Sequence, residues 1–256
     1  MELEQDRLDM QHHLWQLTWD GELCVSPKNK GANRVLDIGT GTGIWAMDYA
    51  DAHPEATVIG VDLSPIQPSY VPPNCRFEID DIEKDWTWSI PFDFVFIRAM
   101  NSAVASWEGL LAQAYDNMEP GGYIEMQDNS FPIECDDGTM PPETPVAQWS
   151  TLLMEATEKM GRPVTVPSIF KQMLEKAGFV DVVEVKKTWP INPWPKNDPY
   201  QELGLWAQAT SLQACEASAL ALFTRVLGWT REETLVFCAT VRKDLQNTNI
   251  HGYWNM

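Results

Sequence analysis

Apolar residues in the first half of the chain gather in short clusters rather than in long amphipathic stripes. They lie at Val35 to Ile38, Val58 to Val61, Arg76 to Ile79, Phe94 to Ile97 and Tyr123 to Gln127. Being rich in Val, Ile and Phe, such clusters read as strands buried on both faces. A sixth strand is expected at Val180 to Lys186. Helical or turn-rich segments separate them, and that alternation predicts an α/β fold with a doubly wound, mostly parallel sheet and helices on both faces.

Helical spacing appears elsewhere. Leu3, Met10, Leu14 and Leu17 predict an amphipathic helix from about Glu2 to Leu17. Beyond the fifth strand, Pro132, Pro141, Pro142 and Pro145 break the chain, and Trp149, Leu152, Leu153, Ala156 and Met160 then mark one helix face. A second helix from about Ser168 ends before Gly178. After Pro190, Pro193, Pro195 and Pro199 comes a stretch carrying Leu203, Trp206, Leu212 and Leu220, and a last helix begins at Thr230, where Thr230 and Glu233 fit a capping box. The two insertions are expected to build a helical cap over the carboxyl edge of the sheet.

The candidate chemistry lies where the first strand ends. In Asp37-Ile38-Gly39-Thr40-Gly41-Thr42-Gly43, three alternating glycines let the backbone turn sharply and keep side chains away from its amides. The loop opens a helix whose N-terminus favours an anionic group. Asp62 ends the second strand about 20 residues further on, the spacing of an acid that accepts from ribose hydroxyls. A dinucleotide fingerprint needs glycine at the sixth position counted from Gly39, which is Ile44 here, and no Gly-Lys-Ser/Thr follows to make a P-loop.

The pattern Asp-x-Gly-x-Gly-x-Gly, with an acid ending the next strand, resembles motif I of class I S-adenosylmethionine-dependent methyltransferases. Asp62 to Pro68, Val71 to Asp81 and Glu119 to Glu125 are similar to the fungal LaeA-like (UMTA-type) family. The likeness continues through Ala177-Gly178-Phe179, Pro190 to Pro195, Leu203-Gly204, Leu227-Gly228-Trp229 and Ile250-His251. It implies a Rossmann-like methyltransferase sheet with the added cap, as a single domain over 1–256 with a lid region at 1–30, a cofactor-binding core at 31–130 and the remaining sheet and cap at 131–256. Two departures stand out. Where the family commonly has His-x-Arg this chain has Phe96-Ile97-Arg98, and it stops at Trp254-Asn255-Met256, where the family runs on into a final strand, so that either the chain is truncated or its sheet lacks that strand.

The resemblance also implies roles. Asp37, Gly39, Thr40, Gly41 and Gly43 surround the methionine end of S-adenosyl-L-methionine, or of the product S-adenosyl-L-homocysteine. Asp62 holds the ribose, Leu63 and Ile82 pack on the adenine, and Asp81, with Asp80 as the alternative, takes the adenine amino group. Arg98, also counted among the cofactor-binding residues, anchors a substrate carboxylate or forms a buried ion pair with Glu125. Acceptor-side candidates are Arg98, Asn101, Glu125 and Asp128, with His12, His13 and His251. Since His12 and His13 are adjacent on a helix, at most one of them faces the site. The first helix either lies over the cofactor mouth or packs on the sheet edge. Trp107, Trp149, Trp194 and Trp206 line an acceptor pocket or simply fill core.

Composition narrows the partners. With 18 basic and 37 acidic residues the net charge is −19, which opposes nucleic acid and remains compatible with a basic protein tail. Cys24, Cys75, Cys135, Cys215 and Cys238 are scattered and make no Cys-x-x-Cys pair, pointing to a reducing compartment, cytoplasmic or nuclear, and to no structural metal. No apolar run reaches membrane-spanning length. Two functions follow: an enzyme methylating oxygen or nitrogen on a small secondary-metabolite acceptor, or a LaeA-type regulatory subunit of secondary metabolism acting through protein partners. A methyltransferase fold recruited to another reaction is a third.

Overall fold

In the computed structural model of the chain, residues 2–256 are described. In chain order the elements begin with α1 (Glu2–Thr18), β1 (Arg34–Ile38), α2 (Ile44–Ala52), β2 (Thr57–Asp62) and β3 (Cys75–Ile79). Next come β4 (Phe92–Arg98), α3 (Trp107–Asp116), β5 (Met118–Gln127), β6 (Ser130–Glu134) and α4 (Pro145–Lys159). The chain ends with α5 (Phe170–Ala177), β7 (Thr188–Pro190), α6 (Asp198–Arg225), α7 (Arg231–Leu245) and β8 (Tyr253–Asn255). These elements form two compact units.

The first unit holds residues up to Met100, Val104–Asp128 and Ile169–Glu184. Its sheet is wholly parallel, in the order β3-β2-β1-β4-β5. The five strands expected from the apolar clusters are the five observed. Asp37 lies level with Gly60 of β2 and Phe96 of β4, so β1 is flanked by both neighbours at the point where the winding reverses direction. Open α/β sheets place ligands there, beyond the carboxyl ends of the strands.

Aromatic packing fixes α2 on this sheet. The Trp45 ring stacks on Phe96, with centroids 3.7 Å apart and planes 5° from parallel, and its Nε1 donates to the Leu23 carbonyl at 2.8 Å. Trp45, Tyr49, Phe94 and Phe96 are all buried and adjoin one another. At the amino end of β4 the buried Asp93 carboxylate accepts from the backbone N–H of Asn33 and of Arg34 (2.9 and 2.8 Å) and from Lys28 Nζ (3.0 Å). The chain leading into β1 is thus tied to the start of β4.

The second unit holds residues 101–103, 129–168 and 185–256. It pairs an antiparallel three-stranded sheet, β6-β8-β7, with α4, α6 and α7. The capping box is present: Glu233 N–H donates to Thr230 Oγ1, and the Glu233 carboxylate accepts from Thr230 N–H. Buried Asn192 donates through Nδ2 to the carbonyls of Asn247 and Ile250, holding the turn that precedes β8. No helix among the described residues is long and apolar enough to cross a membrane.

One expected strand is not formed. Val180 to Lys186 carries no regular structure, and pairing begins only at Thr188, antiparallel to β8. Asp181 has φ +55, a left-handed conformation that interrupts an extended run, and Val180 and Val183 are each 82% exposed. The segment is rich in valine but none of its residues is buried, and without a buried face it gains nothing from pairing as a strand. β6 and β8 lie outside the expected strands: β6 carries Pro132 within its span and β8 is only three residues long, so neither shows a strand pattern in the sequence.

The Asp93 clamp makes a test. Burial by itself raises this carboxyl's pKa, but the Arg34 and Asn33 amides and the Lys28 ammonium outweigh it and hold the pKa below the usual value. A depressed carboxylate contributes stability above its unfolded pKa of 3.8, and that contribution is lost as pH falls through the folded value. Asp93→Asn is expected to lower unfolding free energy by about 1 to 3 kcal/mol at pH 7 in urea denaturation, with the difference shrinking below about pH 4. Equal stability of the two proteins at pH 7 would remove the clamp from this account.

Candidate functional site

All three glycines after β1 are left-handed, with φ of +72° at Gly39, +58° at Gly41 and +82° at Gly43. Space matters as much as conformation. A Cβ at Gly39 would overlap Met100 Sδ, and one at Gly43 would overlap the Phe77 ring. The backbone N–H groups of Gly39 and Thr40 both donate to the Val61 carbonyl, at 2.9 and 3.0 Å, binding the loop to the end of β2. Gly43 then caps α2.

Two carboxylates flank this loop. Asp37 is buried and accepts from the Thr40 hydroxyl. Burial pushes its pKa up to about 6, against the opposing pull of that hydroxyl and of Arg98. Asp62 uses one oxygen to accept from Gly41 N–H and the other to accept from Ser64 N–H, both at 2.9 Å. Each oxygen retains a lone pair, so a vicinal diol presented to Asp62 meets two fixed acceptors. At the end of β3, Asp80 N–H donates to the Asp62 carbonyl at 3.2 Å, Asp81 accepts from Glu83 N–H, and Ile82 is half-buried. Leu63 is 69% exposed and Asp80 is exposed.

A second cluster of charge lies at the carboxyl ends of β4 and β5. Arg98 Nη2 donates to His12 Nδ1 at 2.8 Å, and His12 Nε2 is 3.0 Å from Asp48 Oδ2 on α2. Burial brings the Arg98 pKa down to about 10, against the carboxylates of Asp37, Asp48 and Glu125. Glu125 accepts from the backbone N–H of Val25 and Ser26 and from Gln127 Nε2. Gln127 Oε1 is a buried acceptor with no hydrogen-bond partner among the described residues. Arg98 and Gln127 are register partners on adjacent strands.

α1 crosses the glycine loop. Leu8 Cδ1 is the atom nearest to the position a Cβ on Gly41 would take, at 3.4 Å. Asp9 Oδ1 accepts from the Thr42 hydroxyl at 2.7 Å, and Gln5 Nε2 donates to the Ile66 carbonyl at 3.0 Å. Of the two adjacent histidines, His12 is the buried one and His13 is half-buried.

The first unit therefore assembles Asp37, Gly39, Thr40, Gly41, Gly43, Asp62 and Arg98 around the carboxyl ends of β1, β2 and β4. Asp128 is buried there and accepts from Met100 N–H at 2.8 Å. Asn101 and His251 belong to the second unit. Asn101 Nδ2 donates to the Asn129 carbonyl at 3.1 Å, and His251 pairs through Nδ1 with Asp137 and stacks on Trp194. Asp48 and Gln127 were missed in the sequence. An acid inside a helix carries no signal, whereas Glu125-x-Gln127 at a strand's carboxyl end, two polar groups on one face of an apolar strand, is a signal that was overlooked.

A parallel sheet of this order, with a three-glycine loop after its first strand and an acid ending its second, defines a class I methyltransferase. Residues 10–185 match the family model described as a methyltransferase domain. The chain is 39% identical over 253 residues to methyltransferase pytC of Aspergillus terreus, covering 98% of this chain and 78% of that protein. It is 36% identical over 263 residues to secondary metabolism regulator LAE1 of Cochliobolus heterostrophus, covering 100% and 85%. Among solved structures the [4+2]-cyclase SpnF shares the fold, with a TM-score of 0.51 at 14% identity over 88% of this chain and 73% of that one. The chain belongs to the fungal LaeA-like family of S-adenosylmethionine-dependent methyltransferases.

The raised pKa of Asp37 carries a stability consequence. A carboxyl whose folded pKa exceeds its unfolded value of 3.8 favours the fold when protonated, so stability falls as pH rises from about 4 to about 6 and stays lower above. Asp37→Asn keeps an acceptor for Thr40 and removes the charge. Urea denaturation at pH 8 should find the variant at least as stable as the parent, by up to about 3 kcal/mol, with the gap closing near pH 4. A variant less stable at pH 8 would show that the ionised carboxylate is well compensated.

Proposed function

We propose that this protein transfers the methyl group of S-adenosylmethionine to an oxygen or nitrogen of a small acceptor of the secondary-metabolite kind. The observation that supports this reading is the set of groups at the carboxyl ends of β1 and β2. Asp62 offers both carboxylate oxygens to the ribose hydroxyls, Ile82 and Leu63 flank the adenine, and Asp81, or Asp80 beside it, accepts from the adenine amino group. Asp37, Thr40 and the three glycines enclose the methionine end, and Arg98 neutralises its carboxylate.

Bound donor supplies an electrophilic methyl on a sulfonium that is already a good leaving group. The protein's part is to hold donor and acceptor in line and to keep water out. Leu8, Asp9 and His12 on α1 bring a helix across the loop to do the second. A base is required only for an acceptor that arrives protonated and weakly nucleophilic. Within the first unit the acceptor-side candidates include Arg98, Glu125, Asp128 and His13. A cytoplasmic or nuclear setting, with no role for nucleic acid, belongs to the same reading.

The similarity to LAE1 along the whole chain favours a second reading, a regulatory subunit acting through protein partners. Its acceptor is then a protein segment, and a net charge of −19 suits a basic one.

Calorimetric titration with S-adenosylhomocysteine tests the donor site. Removing charged hydrogen bonds of about 1.5 to 3 kcal/mol by Asp62→Ala is expected to weaken binding at least tenfold, roughly. Absence of binding by a well-folded parent, or equal affinity of the two proteins, would overturn the assignment.

A further inference from the structure

We propose that His12 is a positioning residue for the donor site: as a neutral imidazole it latches α1 over the glycine loop by bridging Arg98 of β4 and Asp48 of α2. The inference rests on the reading that the methyl donor occupies the glycine loop. It adds that occupancy is coupled to the protonation state of one histidine that touches neither donor nor acceptor.

The tautomer follows from the partners. A guanidinium only donates, so His12 Nδ1, 2.8 Å from Arg98 Nη2, must present a lone pair. The proton of the neutral ring is then on Nε2, which points at the Asp48 carboxylate 3.0 Å away. His12 is 3% exposed, so water has little access to its ring, whereas the Asp48 side chain is 42% exposed. Both partners belong to the sheet-and-helix scaffold, whereas His12 is on α1, which is also tied there by Gln16 Nε2 donating to Asp48 Oδ2 at 3.4 Å, Asp9 to Thr42, Gln5 to the Ile66 carbonyl and the Leu8 contact at Gly41. Of these residues His12 alone has a charge that changes near neutral pH.

The charged groups around the ring set the sign. Burial is the largest influence and lowers the His12 pKa. Asp48 opposes it, Arg98 reinforces it, and Asp9, one helical turn back on α1, opposes it weakly. Beyond Arg98 lie Asp37 on β1 and Glu125 on β5, which act on the guanidinium. Protonation at Nδ1 would place N–H against N–H, turning an attraction into a repulsion between two cations. The closed position of α1 is therefore favoured above the open-state pKa of about 6.5 and is lost as pH falls below it.

The same geometry gives Arg98 a defined direction. With one nitrogen committed to His12, the remaining N–H groups of the fork stay available to a ligand carboxylate. Release of His12 loosens both the lid and that arginine, so donor affinity is expected to fall with both effects together.

Affinity for S-adenosylhomocysteine measured between pH 5.5 and 7.5, on the parent and on His12→Gln, tests the latch. Glutamine offers an acceptor to Arg98 and a donor to Asp48 but cannot become charged. The ratio of parent to variant affinity is expected to be constant above about pH 7 and to drop roughly tenfold by pH 5.5, following one proton. Titration of Asp37 is common to both proteins and cancels in the ratio. A ratio that does not change with pH overturns the latch while leaving the donor site intact. A parent that binds nothing at pH 7.5 overturns the donor reading and the latch with it. Nitrogen NMR of the histidine rings in the parent gives a check that needs no variant: the Nε2–H tautomer at pH 7.5 is the expected state, and Nδ1–H would exclude the bridge to Arg98.

Discussion

The first unit depends on the parallel placement of β1 between β2 and β4. Strand pairing brings the ends of three strands to one edge, and the twin hydrogen bonds from Gly39 and Thr40 to the Val61 carbonyl make the glycine loop an extension of that pairing. Every group assigned to the donor site is positioned from there. Asp37 precedes the loop, Asp62 ends the neighbouring strand and accepts from Gly41 within the loop, and Arg98 ends the strand on the other side.

Several charges are buried in the first unit, at both ends of its strands, and their arrangement explains why so many backbone amides donate to carboxylates. An unpaired buried carboxylate is costly, and mutual pairing offsets desolvation only when geometry and hydrogen bonds are good. Glu125 is satisfied by two loop amides and Gln127, and Asp93 by two amides and a lysine. Asp37 is less well compensated, having the Thr40 hydroxyl and the field of Arg98, and its pKa rises accordingly. The buried cation Arg98 is met by a histidine rather than by a directly paired carboxylate.

The replacement of the family's histidine by Phe96 also becomes intelligible in packing terms. Phe96 lies flat against Trp45 in the aromatic layer that seats α2, and α2 carries Asp48, the other partner of His12. An apolar ring at this position fixes the helix that orients the histidine supplied from α1. Nothing comparable was visible in the motif itself, because His12, the α2 pair Trp45 and Asp48, and Phe96 come from three separate stretches of the sequence.

What the sequence determined is local. The five strands, the three-glycine turn and the capping box at Thr230 could be read directly, because each depends on residues within a few positions of one another and on a periodicity or a φ value that few residue types permit, and Asp62 could be read from its spacing to the glycines within one strand-helix-strand unit. Val180 to Lys186 shows the limit of such reading: valine content suggested a strand, but burial of a strand is a property of its neighbours, and Asp181 turns the chain out of line. Tertiary structure alone decided which of two adjacent histidines is buried, that Glu125 clamps the Val25–Ser26 backbone, and that α1 lies across the loop. Those outcomes depend on groups 33 to 100 residues apart meeting at specific distances, and a single chain's order of residues does not encode which of many such meetings the packed core will allow.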